Sequence, residues 1–142
     1  MGDYTPTDLL DQAPDAVVFA GKDGVISYWN AAAERVFGHP ASAAVGQNLD
    51  LIIPEQYREA HWRGFERALG EGDTKYRGQV LPTRAVRAGG EQIYVELSFA
   101  IIKAADGTVV GALALARDIT ERWNRDREMR RKLRELEQAS SG

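Results

Sequence analysis

The chain has 142 residues, a hydrophobic content of 44% and a formal net charge of −3. This length favours one domain that is large enough to bury a core, and the charge gives no reason to expect nucleic acid or an acidic membrane surface as a partner. Cysteine is absent, which excludes disulfides, cysteine-ligated metals and cysteine nucleophiles. No apolar run approaches the roughly 20 residues that span a bilayer, and the N-terminus does not resemble a signal peptide. We therefore expect a cytoplasmic protein.

The N-terminal segment predicts a short helix followed by a β-hairpin. Thr5-Pro6-Thr7-Asp8 is a helix-start signal, and the helix should end near Pro14. Residues 16–20 and 25–29 read as strands on either side of the turn Lys22-Asp23-Gly24, a turn type that favours antiparallel pairing.

Two further helical segments should follow the hairpin. Asn30 is a suitable N-cap for a helix over residues 31–37, which Gly38 would close. Ser42 could cap another helical turn that stops at Gly46.

The segment after Pro54 predicts a longer helix with a histidine on its inward face. Tyr57, His61, Phe65 and Leu69 recur every fourth residue, so they lie along one side of the helix. A buried imidazole must be hydrogen-bonded or used, because an unpaired polar ring in a core is costly. Two interpretations therefore stay open for His61: a hydrogen-bonded core histidine, or a ligand to a metal or haem iron.

Three strands should complete the domain, over residues 78–86, 92–102 and 109–116. Pro82 indicates an edge or a bulge in the first of them. In the second, Ile93, Val95, Leu97 and Phe99 alternate with polar residues, which predicts one buried and one solvated face. Five strands with several short helices indicate an α+β fold, an antiparallel sheet with helices packed on one face.

The composition changes after Asp118, where a charged helix is predicted. Its single apolar stripe consists of Ile119, Trp123, Met129, Leu133 and Leu136, and acid-before-base pairs four residues apart support an exposed helix. The helix could lie back on the domain, but the narrow stripe favours pairing with a partner helix. We expect a homodimer through residues 119–137, and a division into an N-terminal cap (residues 1–14), a core (15–118) and a C-terminal linker helix (119–142).

The ordered elements resemble a PAS sensor domain. The similar residues begin with Asp23-Gly24 and Ile26-Ser27-Tyr28-Trp29-Asn30, continue through Glu34-Arg35-Val36-Phe37-Gly38 and Ile53-Pro54-Glu55, and end with Arg117-Asp118-Ile119-Thr120-Glu121. The resemblance covers about residues 8–121. It implies a five-stranded sheet that cups a ligand pocket, with the last strand passing a signal to the following helix. It also implies an output kinase or other effector domain as a partner.

Within that family, the segment around His61 looks like the haem-binding oxygen sensors of the FixL kind. That resemblance implies haem b as the cofactor and His61 as the metal ligand, with Leu97 and Phe99 over the opposite face. Leu81 stands where those sensors carry an arginine that hydrogen-bonds the gas ligand, and Tyr76 could supply a hydroxyl instead.

Other functions remain open or are disfavoured. Gly46-Gln47-Asn48 is followed by Leu49 and not by a cysteine, so the photoadduct chemistry of flavin PAS domains is excluded, whereas noncovalent flavin is not. A PAS domain without a cofactor, acting in dimerisation and relay, is the alternative. No catalytic triad, paired carboxylate or phosphate loop is evident, so we do not expect an enzyme.

Overall fold

Five antiparallel strands form one sheet in the computed structural model, which describes residues 2–74 and 80–141. The helices are α1 (Pro6–Asp11), α2 (Ala31–Phe37), α3 (Ala41–Ala44), α4 (Arg58–Glu71) and α5 (Thr120–Ser141). The strands are β1 (Ala16–Gly21), β2 (Ile26–Trp29), β3 (Leu81–Val86), β4 (Gln92–Lys103) and β5 (Val109–Asp118). Short 3-10 turns at Leu49–Ile52 and Glu55–Tyr57 precede α4. The predicted α+β fold is confirmed.

The strands lie in the order β2-β1-β5-β4-β3. The alternation predicted for β4 is observed, because Ile93 and Val95 are 2% and 1% exposed while Glu96 lies on the other face and pairs with Arg122 of α5. Ala116 of β5 and Val18 of β1 belong to the same core cluster. The inner face of the sheet therefore packs against the helices, and the outer face carries the polar side chains of β4.

Asn30 joins the N-terminal elements. It is 2% exposed, and its Oδ1 accepts hydrogen bonds from the amides of Val17 and Ala33, both at 2.9 Å. Its amide nitrogen donates to the carbonyl oxygens of Leu10 and Asp15. The predicted helix cap therefore also satisfies backbone groups from α1 and β1, which fixes α1 against the sheet.

Two local expectations differ from the structure. The helix assigned to a Ser42 cap begins two residues earlier than predicted, at Ala41, and Pro40 occupies its N-cap position without a side-chain hydrogen bond. The fixed φ of proline suits an extended cap as well as a helical first turn. The long helix begins at Arg58 and not directly after Pro54, since the intervening residues form a 3-10 turn.

Helix α5 leaves the sheet through a fixed first turn. Ile119 is only 6% exposed, and Trp123 stacks on Tyr94 of β4 with ring centroids 4.6 Å apart and an interplanar angle of 16°. The placement of Ile119 and Trp123 in one exposed stripe was therefore wrong for these two residues. Residues 124–140 are all exposed, so the apolar stripe open to a partner consists of Met129, Leu133 and Leu136. No helix within the described ranges is both long and apolar enough to cross a bilayer.

Candidate functional site

Helix α4 carries the histidine that the sequence singled out. His61, Phe65 and Leu69 are half-buried, whereas Tyr57, the first residue of the predicted stripe, is exposed. The rings of His61 and Phe65 lie 5.9 Å apart at 36°. The helix ends at Gly72, whose φ of +71° is a left-handed cap that favours glycine. The four-residue spacing of His61, Phe65 and Leu69 thus places the imidazole on the side of α4 that faces the sheet.

A cavity of about 610 Å³ lies between α4 and the inner face of β4 and β5. This volume is in the range of about 300–1,000 Å³ that is usual for small-molecule and cofactor sites. Its wall combines apolar and ionisable side chains. The lining residues are Ala60, His61, Arg63, Gly64, Phe65, Arg67, Ala68, Glu71, Asp73, Thr74, Phe99, Ile101 and Ala112.

The cavity brings together some of the predicted site residues but not all of them. His61 and Phe99 both line it. Leu81 and Leu97 are paired with each other across β3 and β4, and Leu97 packs against the main core cluster. Neither leucine is among the described lining residues of the cavity. Tyr76 lies outside the described part of the chain. Sequence reasoning missed Ile101 and Ala112, although both continue the inward alternation of their strands.

The imidazole of His61 has a buried nitrogen without a partner. Nδ1 is inaccessible to solvent and has no hydrogen-bond partner among the described residues. Burial lowers the pKa of His61 from its usual value near 6.5, and the negative charge of Asp50 opposes that shift only in part. The ring is therefore neutral at neutral pH, and a neutral imidazole has the free lone pair that a metal requires.

We predict a pH dependence of stability that comes from His61. Because its folded pKa is depressed, the unfolded chain takes up a proton at a higher pH than the folded chain does. The free energy of unfolding should fall as the pH drops below about 6.5, with a slope of at most about 1.4 kcal/mol per pH unit, and level off below the folded pKa. Urea denaturation across this range, compared with His61→Phe, measures the slope. An identical slope in both proteins would contradict the assignment.

Trp62, the residue after His61, attaches this turn of α4 to other parts of the domain. Its ring meets the His61 ring edge-on, with centroids 4.8 Å apart, and its Nε1 donates to Oδ1 of Asp50 at 2.8 Å. The ring also lies so close to Gly24 that a Cβ at that glycine would come within 2.4 Å of it. Trp62 therefore holds α4 against the hairpin.

We predict that Gly24→Ala destabilises the fold more than Gly107→Ala. Both glycines have a positive φ, +78° and +89°, in turns between strands, so alanine costs about 1–2 kcal/mol of backbone strain at either. Only Gly24 faces Trp62, whereas no described atom lies within 4 Å of a Cβ at Gly107. The clash should add about 1–3 kcal/mol at Gly24. Equal denaturation midpoints for the two variants would show that Trp62 does not hold this position.

Known proteins resemble the chain along most of its length. The family described as "PAS fold" matches residues 10–124. The oxygen sensor protein DosP of Escherichia coli is 27% identical over 109 residues, which are 77% of this chain and 13% of that protein. The sensor protein FixL of Bradyrhizobium diazoefficiens is 38% identical over 53 residues, 37% of this chain and 10% of that protein. The chain thus spans about a tenth of the length of these two relatives.

The fold is shared with solved structures as well. A PAS domain from Colwellia psychrerythraea superposes with a TM-score of 0.70 at 24% identity and covers 81% of this chain and 94% of that domain. The family match extends from α1 across all five strands into the first turn of α5 and includes the whole lining of the cavity. The chain belongs to the PAS family, and it is a sensory domain homologous to those of sensor proteins.

Proposed function

We propose that this PAS domain binds haem b through His61 and senses a diatomic gas. The observation that carries the proposal is the position of the neutral His61 ring in the wall of a cavity of cofactor size. Its buried Nδ1 has no partner among the described residues, a feature that Nε2 of His39 shares, but His39 is not among the described lining residues of the cavity. A core histidine would be expected to have its nitrogens hydrogen-bonded. A metal ligand needs a free nitrogen lone pair instead.

The ligand set favours haem over a free metal ion. Among the described residues no group of three or more histidine, cysteine, aspartate or glutamate side chains could hold an ion. A single protein ligand suffices for an iron that arrives with four porphyrin nitrogens, as in haem proteins with one proximal histidine. The donors present therefore fit haem.

The cavity wall matches the two chemical halves of that cofactor. Phe65, Phe99 and Ile101 offer an apolar surface. The charged side chains of the wall are the exposed Arg63 and Arg67, which could meet the propionates, and the carboxylates of Glu71 and Asp73. Arginine binds carboxylates through paired hydrogen bonds, so the two arginines would orient the propionates. Bound haem would supply an iron able to take a gas, while Phe99 and Ile101 exclude water.

Two relatives support the sensory assignment. DosP is named as an oxygen sensor, and FixL is named as a sensor protein. In this chain, the apolar Leu81 stands at the position of the arginine expected from the FixL resemblance. We propose that the ligand selectivity of this domain differs from that of FixL for that reason.

A titration with haemin tests the proposal. Purified protein should develop a sharp absorption band that saturates at one haemin per chain, and metal-free protoporphyrin IX should bind much more weakly because it cannot use the His61 nitrogen. Equal binding of the two porphyrins would indicate nonspecific hydrophobic uptake. No stoichiometric uptake of haemin would overturn the proposal and leave a PAS relay domain that has no haem, or that binds another ligand such as flavin.

Helix α5 is the proposed output element. In this proposal residues 1–14 cap the sensory core of residues 15–118. Residues 119–142 form a linker helix that pairs with a second copy within residues 119–137 and connects to a kinase or other effector domain, as in a two-component sensor. The support is the exposed apolar stripe of Met129, Leu133 and Leu136, which are 62%, 55% and 67% exposed. Their spacing of four and three residues matches a coiled-coil seam.

A further inference from the structure

A row of four side chains leads from the His61 helix to the first turn of α5. Arg84 of β3 lies between two tyrosine rings, with its guanidinium carbon 5.8 Å from the centroid of Tyr57 and 5.7 Å from that of Tyr94. Both distances are within the range of cation–π contacts. Arg84 Nη1 also donates to the Tyr57 hydroxyl. One guanidinium therefore contacts the residue just before α4 and a residue of the sheet.

Tyr94 continues the row to α5 through its ring and its backbone. The ring stacks on Trp123 at 4.6 Å. The backbone oxygen of Tyr94 accepts from the amide of Ile119 at 2.9 Å, and its amide donates to Oγ1 of Thr120 at 3.0 Å. Tyr94 is thus held against the N-terminal turn of α5, and a movement of its ring would displace the stacked ring of Trp123.

The other end of the row is fixed to the cavity helix. Tyr57 immediately precedes α4 (Arg58–Glu71) and lies one helical turn before His61. Arg84 and Tyr94 are directly opposite each other in the pairing of β3 with β4. The sheet therefore fixes the backbone of Arg84, whose side chain contacts Tyr57. A shift of α4 at its N-terminal end changes the contact between Tyr57 and Arg84 before any other contact in the row.

We propose that Tyr57, Arg84, Tyr94 and Trp123 form the path by which the state of α4 is passed to α5, with Arg84 as the positioning residue. The planar guanidinium can face two rings and bond a hydroxyl at once, which a lysine ammonium cannot do. The part of this inference that concerns a ligand rests on the proposed haem function. The mechanical link between the two helices does not.

The first test uses the protein without any ligand and reads amide hydrogen exchange in residues 121–126. Tyr57→Leu, a change next to α4, should lower protection there about threefold or more. In an Arg84→Gln background the same change should have no further effect on α5. Arg84→Lys should not restore the link. Arg117 of β5, which pairs with Asp15, provides the control, because Arg117→Gln should leave the response to Tyr57→Leu intact. A response to Tyr57→Leu that is confined to α4, or one that persists without Arg84, would overturn the proposal.

The second test adds haemin and separates the two hypotheses. Haemin should alter α5 exchange in the wild-type protein and not in Arg84→Gln, while both proteins bind one equivalent. Equal α5 responses in the two proteins would refute the path and leave the haem proposal standing. If haemin does not bind, the haem proposal fails, and the ligand-free test alone decides for or against the path.

Discussion

Replacing His61 by alanine should abolish stoichiometric haemin binding and leave the domain folded. If His61 is the iron ligand, its removal should weaken haemin binding about a hundredfold or more, because even losses in the outer shell of a metal site cost 10–100-fold. Stability should change little, since the ring is half-buried and its Nδ1 has no partner to lose among the described residues. Absorption titration measures the first effect, and urea denaturation measures the second.

The chain supplies a matched control for this experiment. His39 is the second of its two histidines, and its ring lies 6.3 Å from that of Trp29, away from the described lining of the cavity. The Trp29 indole donates to the backbone oxygen of His39, so His39→Gln keeps that hydrogen bond. His39→Gln should bind haemin as the wild type does. Equal losses in the two variants would show that His61 is not a specific ligand.

The double change Leu133→Asp and Leu136→Asp should convert a homodimer into a folded monomer. Both leucines are exposed in the single chain, so the change does not disturb the core. In a paired helix each buried leucine contributes about 1.5–3 kcal/mol, and four aspartates in one seam would repel one another. Sedimentation velocity measures the mass, and the exchange protection of the sheet shows that the fold persists.

Asn124→Asp with Gln138→Asp gives a control with the same change in charge. At about 100° per residue these two positions lie on the side of α5 opposite to Met129, Leu133 and Leu136. The control should remain a dimer. A wild-type chain that sediments as a monomer at high concentration, or equal dissociation of the two double variants, would contradict pairing through this stripe.

The regular elements could be predicted because their signals are local. The Asp-Gly turn between β1 and β2 and the alternation in β4 follow from backbone preference and from burial on one face. Asn30 was predicted as a cap for α2, and the structure adds its bonds to Val17 and Asp15. Those partners belong to other elements, which no local pattern contains.

The lining of the cavity was harder to predict from the sequence than the strands and helices, since its contacts depend on how α4 crosses the sheet. The helical spacing identified His61, but the inward face of β4 gave no means to choose between Leu97 and Ile101 as cavity residues. The placement of Trp62 depends on the space above Gly24, which only the folded hairpin creates. The contact between Arg84 and Tyr57 joins residues 27 positions apart, and neither residue type alone points to it.

Resonance Raman spectroscopy of the reduced, haem-loaded protein shows most directly whether His61 ligates the iron, because the iron–histidine stretching band shifts when the histidine nitrogens are replaced by ¹⁵N. We expect an isotope-sensitive band in the wild type and in His39→Gln. His61→Ala should show an iron–imidazole band only when free imidazole is supplied together with haemin, and the frequency of that band should not change when the histidine of the protein is labelled. A loaded wild-type protein without an isotope-sensitive band, or a protein that takes up no haem at all, would contradict His61 as the iron ligand.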